Sequence, residues 1–175
     1  MKSRLARFAF GFVIAVLVAI VIVASVHSQP LPLNARADRV LVVKSERTLT
    51  LYGGNTQLKT YSVALGRSPV GNKGQQGDHK TPEGNYILDR HNPGSRFYRS
   101  MHVSYPTAEQ IAAARQRGVS PGGDIFIHGL PNGLGWLGRL HRFIDWTDGC
   151  VAVTDKEMDE IWRAVPDGTP IEIRP

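Results

Sequence analysis

The chain has 175 residues and a formal charge of +6, from 21 Lys and Arg against 15 Asp and Glu. That length suits one domain of ordinary size, and 42% hydrophobic with 21% charged residues excludes a disordered chain. A single cysteine, Cys150, excludes an internal disulfide and any site built on two thiolates.

In chain order, the first feature is topogenic. Lys2, Arg4 and Arg7 precede an uncharged run from Phe8 to Val26 in which only Gly11 and Ser25 are not hydrophobic. A positive flank followed by about 20 apolar residues has the length of a membrane-crossing helix, longer than the apolar core of a typical cleaved signal. Residues 1–28 are therefore expected to be an uncleaved signal anchor in preference to a cleaved signal peptide. The positive flank would stay inside and the rest of the chain outside the membrane. Residues 29–38, with Pro30 and Pro32, read as an extended linker. From His27 on the charge is only +3, with no dense basic stripe, which argues against nucleic acid as a partner.

Residues 39–174 carry the domain. Val40–Val43 and Thr48–Tyr52 read as a strand pair, and residues 58–65 as a third strand. Residues 66–84 hold one apolar residue, Val70, and read as a long loop of the kind that often carries function. Short strands are expected at residues 85–88, 101–104, 124–128 and 169–173. Thr107 with Gln110 and Thr154 with Glu157 form capping boxes that open two short helices, over 107–117 and to about Ala164. The sum is a mainly β domain with two short helices, of sandwich or barrel type.

The chemistry centres on Cys150, in Asp145-Trp146-Thr147-Asp148-Gly149-Cys150. A lone cysteine is often a small buried hydrophobe. In an exported chain, however, an unpaired thiol invites oxidation unless it has a role. Gly149 lets the backbone approach a substrate, so the amides of Gly149 and Cys150 become candidate oxyanion donors. A thiol nucleophile needs a base. His128 ends an apolar strand and is followed by Gly129; His141 is the competing candidate, and His79 and His102 are weaker ones. The stretch Leu130–Ile144 is Gly-rich and reads as a loop, in which Arg139 and Arg142 are cations able to hold substrate carboxylates.

Ile127-His128-Gly129 followed by Thr147-Asp148-Gly149-Cys150 resembles the His…(Ser/Thr)-x-Gly-Cys signature of the L,D-transpeptidase (YkuD-type) catalytic domain family. Gly77 to Tyr86, with Thr81-Pro82-Glu83-Gly84-Asn85-Tyr86, resembles that family's Thr-Pro-x-Gly-x-Tyr segment. Together the motifs run in order over about residues 39 to 174.

The resemblance implies a mainly β-sandwich fold and a cysteine nucleophile, Cys150, that forms a thioester with a peptidoglycan stem tetrapeptide. His128 would move the proton and the Gly129 carbonyl would orient the imidazole. Gly149, Asp148, Thr147, Trp146, His141 and Arg139 are then expected around the oxyanion and the substrate. An amine acceptor gives a cross-link or attaches a wall protein; water gives a carboxypeptidase or a hydrolase that releases wall-bound protein. Asp148 departs from the pattern, since many members have His there. A carboxylate so placed either raises the thiol pKa or stabilises an imidazolium at His128 or His141. The resemblance also implies the bacterial envelope as location, with the domain facing periplasm or wall, or secreted if the signal is cleaved.

A different class of reading is a wall-binding module or a zinc site on His128, His141 and Cys150. Their spacing follows no tight ligand motif, so no metal and no cofactor are expected.

Overall fold

The computed structural model describes residues 29–175. The N-terminal anchor expected over residues 1–28 lies outside them. Among the described residues no helix is long and apolar enough to cross a membrane.

Val40 and Val42 are fully buried while Arg39, Leu41 and Val43 alternate with them at half exposure, the period of a strand with one face on a core. This is β1 (Arg39–Val43). It pairs antiparallel with β2 (Thr48–Gly53), which pairs with β3 (Thr56–Ser62). On its other side β1 runs parallel to β8 (Thr169–Arg174), which pairs antiparallel with β4 (Gly84–Asn92). Then come β5 (Ser100–Val103), β6 (Phe126–His128) and β7 (Val151–Ala152). The order is β3-β2-β1-β8-β4-β5-β6-β7.

The expected β-sandwich is therefore corrected to one continuous eight-stranded sheet. Its two edges meet. Just beyond β3, Ala64 exchanges both backbone hydrogen bonds with Ala152 of β7, at 2.9 and 2.8 Å, and Gly66 bridges to Thr147. The sheet thus curls around its core, so that edge groups left open by the short β7 are partly satisfied. Leu49, Leu51, Met101, Ile127 and Ile171 fill the interior.

Both expected helices form, each with its complete capping box: α1 (Ala108–Gln116) and α2 (Asp155–Ala164). Met158, Ile161 and Ala164 of α2 join the core, whereas α1 buries only Ala114. A third helical segment, 3-10 in character, spans Gly135–Phe143 inside the stretch read as a loop. Part of the expected linker also packs on the domain. Leu31 is a core residue whose amide donates to Glu160, and the Ala37 amide donates to the carbonyl of Ala164.

The long loop between β3 and β4 is fixed from inside. Lys44 is buried and donates to the carbonyls of Gly71 and Thr81 and to Glu83. Burial pushes the Asp78 carboxyl up, but Lys73 and the amides of Gly74, Gln75 and Lys80 outweigh it and hold it at about 2. The fully buried Thr81 accepts from the Gly66 amide at 3.2 Å, and a side chain at Gly66 would collide with the His79 carbonyl. The loop's backbone is thereby brought against the turn that carries Cys150.

Candidate active site

Sheet register brings the two key residues to one face. β6 and β7 are parallel, with His128 opposite Ala152. Paired residues of a parallel ladder point the same way, and Cys150 immediately precedes β7 on this edge of the sheet. His128 and Cys150 accordingly line one cleft of about 650 Å³. Asp124, Phe126, Trp146, Thr147 and Asp148 share its wall, together with Arg96 and Phe97 from the β4–β5 connection.

The imidazole of His128 is 3% exposed, with Phe97 at 4.6 Å and Trp146 at 5.7 Å between ring centres. Its Nδ1 lies 2.6 Å from the Gly129 carbonyl oxygen. A carbonyl only accepts, so Nδ1 carries the hydrogen and Nε2 is left as the basic nitrogen. Burial lowers the pKa of His128 to about 4, the Gly129 bond only partly opposing it. Burial raises the Cys150 thiol to about 11, and its Sγ lies 3.7 Å from the Asp124 carbonyl. At neutral pH both groups are therefore uncharged.

The turn before Cys150 is fastened by Thr147. This buried residue donates from Oγ1 to the Cys150 carbonyl at 2.8 Å and accepts from the Gly149 amide at 3.2 Å. Its own amide donates to Leu65, and its carbonyl accepts from Arg67. Gly149 has φ +130, and a Cβ there would stand 2.6 Å from the Lys80 carbonyl, so this close approach requires glycine. Of the two expected oxyanion donors, the Gly149 amide is thus engaged by Thr147, and the Cys150 amide has no side-chain partner among the described residues.

Asp148 turns to neither His128 nor His141. Its carboxylate pairs with Arg67 and lies 2.8 Å from His79 Nδ1, at the rim of the cleft, with 72% of the side chain exposed. The Arg67 hydrogen bond is the main reason that its pKa is lowered. His141, the rival base, does not line the cleft. It is buried behind Trp146, whose indole N–H donates to His141 Nδ1 at 3.3 Å, and burial lowers its pKa to about 4. Arg142 pairs with Glu157 and so is committed to α2, while Arg139 is exposed on the 3-10 segment. No three His, Cys, Asp or Glu side chains converge in a metal-ligating group among the described residues.

Phe97, Arg96, Asp124 and Arg67 have no counterpart in the sequence reading. Phe97 lies in a connection without periodicity, and Arg67 pairs with a residue 81 positions away. The positive φ of Asp124 has no sequence signal either, although it follows Gly122 and Gly123 in a stretch that reads as a turn.

The family model for the L,D-transpeptidase catalytic domain (YkuD) matches residues 37–173. YafK of Escherichia coli (strain K12), which carries a provisional L,D-transpeptidase name, is 31% identical over 132 residues. That alignment covers 72% of this chain and 46% of YafK, so the chain spans about half the length of the curated relatives it matches. Among solved structures, the helical cell shape determining protein Pgp2 from Campylobacter jejuni superposes with a TM-score of 0.61 and 26% identity, over 80% of this chain and 48% of Pgp2. An L,D-transpeptidase from Mycobacterium smegmatis superposes with a TM-score of 0.53 over 79% of this chain and 59% of that one. At 14% identity it shows the shared fold.

Proposed function

The chain belongs to the L,D-transpeptidase catalytic domain family, and from that membership we propose that it is a cysteine L,D-transpeptidase of the bacterial envelope. The observation that carries this reading is the common cleft of Cys150 and His128, with Nδ1 held by Gly129 so that Nε2 is the free base.

Cys150 Sγ attacks the carbonyl of the diamino acid residue in a stem tetrapeptide as Nε2 takes the thiol proton. A resting pair at about 11 and about 4 is neutral, so proton transfer accompanies carbon–sulfur bond formation instead of preceding it. The Cys150 amide faces the developing oxyanion. Collapse breaks the peptide bond, and the imidazolium returns its proton to the departing D-amino acid. An acceptor amine then gives its proton to Nε2 and attacks the thioester, forming the new amide and restoring the thiol. The thioester conserves the free energy of the cleaved bond, so the cross-link needs no ATP outside the membrane. In the same reading the Phe8–Val26 run anchors the enzyme in the membrane, with residues 39–174 on the wall side.

Intact-mass analysis with a defined tetrapeptide is expected to show an acyl adduct on the wild-type chain and none on Cys150→Ala. Undiminished acylation of Cys150→Ala would overturn the proposal. Muropeptide products are expected to include new cross-links; shortened stems alone would replace the amine acceptor by water.

A further inference from the structure

Eight large hydrophobic side chains are exposed among the described residues, and five of them, Leu134, Trp136, Leu140, Phe143 and Ile144, fall within eleven consecutive positions. Trp136 is 75% and Phe143 84% exposed. We propose that this face of the Gly135–Phe143 insert docks on a lipid bilayer, with Trp136, Leu140 and Phe143 entering the boundary between headgroups and acyl chains. The proposal rests on the membrane anchor given above, and it adds a second, separate contact made by the domain itself.

The insert is held in place before any partner arrives. Arg142 pairs with Glu157, and Asp155 accepts from the Leu130 amide at 2.8 Å while lying against Gly135. Two 3-10 turns joined at Gly138, with φ +48, hold the apolar side chains outward. Little conformational entropy is then lost on docking, which favours a display surface over a loop awaiting collapse. Leu134, Leu140 and Ile144 line one apolar groove, and exposed hydrophobic side chains gathered in one short segment mark a contact site. Its composition, aromatic and leucine side chains beside the exposed Arg139, suits the membrane interface, where amphipathic rings and cations sit at headgroup level.

Chain geometry selects the membrane over other occupants. Only residues 27–30 separate the end of the apolar run at Val26 from Leu31, which is packed in the core. Five extended residue steps reach at most about 18 Å, so a domain tethered by that run stays at the bilayer surface. Within the domain, Leu31 and the insert are held by the same helix. The Leu31 amide bonds to Glu160 and the insert's Arg142 to Glu157, two positions three apart on α2 and so neighbours on one helix face. Docking would further fix the cleft relative to the membrane, because Trp146 both lines the cleft and bonds His141 of the insert.

The full chain reconstituted in phosphatidylethanolamine/phosphatidylglycerol vesicles tests this. All three tryptophans, Trp136, Trp146 and Trp162, lie in the domain. Lipids spin-labelled on the acyl chain are expected to quench part of the tryptophan emission, and Trp136→Phe should remove that part. Leu140→Glu with Phe143→Glu should reduce the quenching about tenfold while circular dichroism stays unchanged. Retention of the chain after an alkaline carbonate wash reports the anchor independently. If the chain is washed off, vesicles are added back and the same quenching is read. Quenching that is absent, or unchanged in Trp136→Phe, overturns the proposal whether or not the anchor holds. Concentration-dependent self-association lost in the double variant, with no quenching of Trp136, would assign the patch to a second copy instead.

Discussion

Cys150 and Asp148 are two residues apart and occupy opposite kinds of environment. Cys150 sits on the cleft floor, its position set by the β6–β7 register, the Thr147 hydrogen bonds and the Lys80 backbone packed against Gly149. Asp148 sits at the rim, where solvent-exposed side chains, Arg67 and His79, hold it. Floor geometry is written in main-chain hydrogen bonds and buried contacts, which are costly to disturb. Rim geometry is written in surface ion pairs, usually worth less than about 1 kcal/mol each. Substitutions at the rim are therefore expected to disturb the cleft less than substitutions at the floor.

The largest effect is expected at the floor. His128→Ala removes the only imidazole that lines the cleft among the described residues, and the rate of Cys150 acylation is expected to fall about 10²–10⁴-fold, read by stopped-flow or quenched mass analysis. A loss of only a few fold would move the base elsewhere and dissolve the distinction between floor and rim.

Acid is the next probe. His128 has a folded pKa of about 4 against the ordinary 6.5, so the unfolded chain binds more protons throughout that interval. Stability is full above pH 6.5 and declines as pH falls from about 6.5 to about 4. Below both values the loss approaches, at most, about 3 kcal/mol from His128. The lowered pKa of His141 acts in the same direction. Thermal melts across pH 4–7 are expected to show the decline, and His128→Gln to lessen it, leaving the part due to His141. Asp148, its pKa lowered by the Arg67 hydrogen bond, stays ionised through that interval, and a decline equally sensitive to Arg67→Gln would contradict the contrast.

Thr147→Val probes what fastens the floor. It leaves the buried Gly149 amide without its acceptor and the Cys150 carbonyl without its hydroxyl donor, for an expected loss of about 1–3 kcal/mol in denaturant unfolding. Acylation should fall further than stability accounts for, because the turn that aims Sγ is loosened. Thr147→Ser, which keeps the hydroxyl, is expected to restore most of both.

These contrasts also explain what a sequence can disclose. Thr107 with Gln110 and Thr154 with Glu157 announce their helices because a capping box acts within four residues. The alternation in β1 is just as local. β7 is only Val151–Ala152, too short for a period, and exists through its pairing with β6 and Ala64. One curled sheet differs from a sandwich through long-range register, here the meeting of Ala64 with Ala152. The glycines of residues 130–144 suggested a loop and concealed two 3-10 turns. At the site, His128, Gly129, Thr147 and Cys150 stood out as a spaced motif. The partners of Asp148 and the stacking of Phe97 on His128 depend on segments far apart in the chain, and no local pattern encodes them.

The smallest expected effect belongs to Asp148→Asn, and it is the most informative about the rim. The carboxylate is largely exposed and paired with an Arg67 side chain that is itself about half exposed, so unfolding free energy should change by less than about 0.5–1 kcal/mol. Its charge is one of the lesser causes that raise the Cys150 pKa, behind burial, so removing it moves the thiol slightly down. The acylation rate should stay within a few fold and, if anything, rise at alkaline pH. Arg67 and His79, released from the carboxylate, become free to meet an anionic substrate group. The expected signature is thus a change in the KM for stem peptides of different charge with kcat nearly constant. A collapse of kcat comparable to that of His128→Ala would instead place Asp148 in the proton path, and the division between a fixed floor and a variable rim would not describe this cleft.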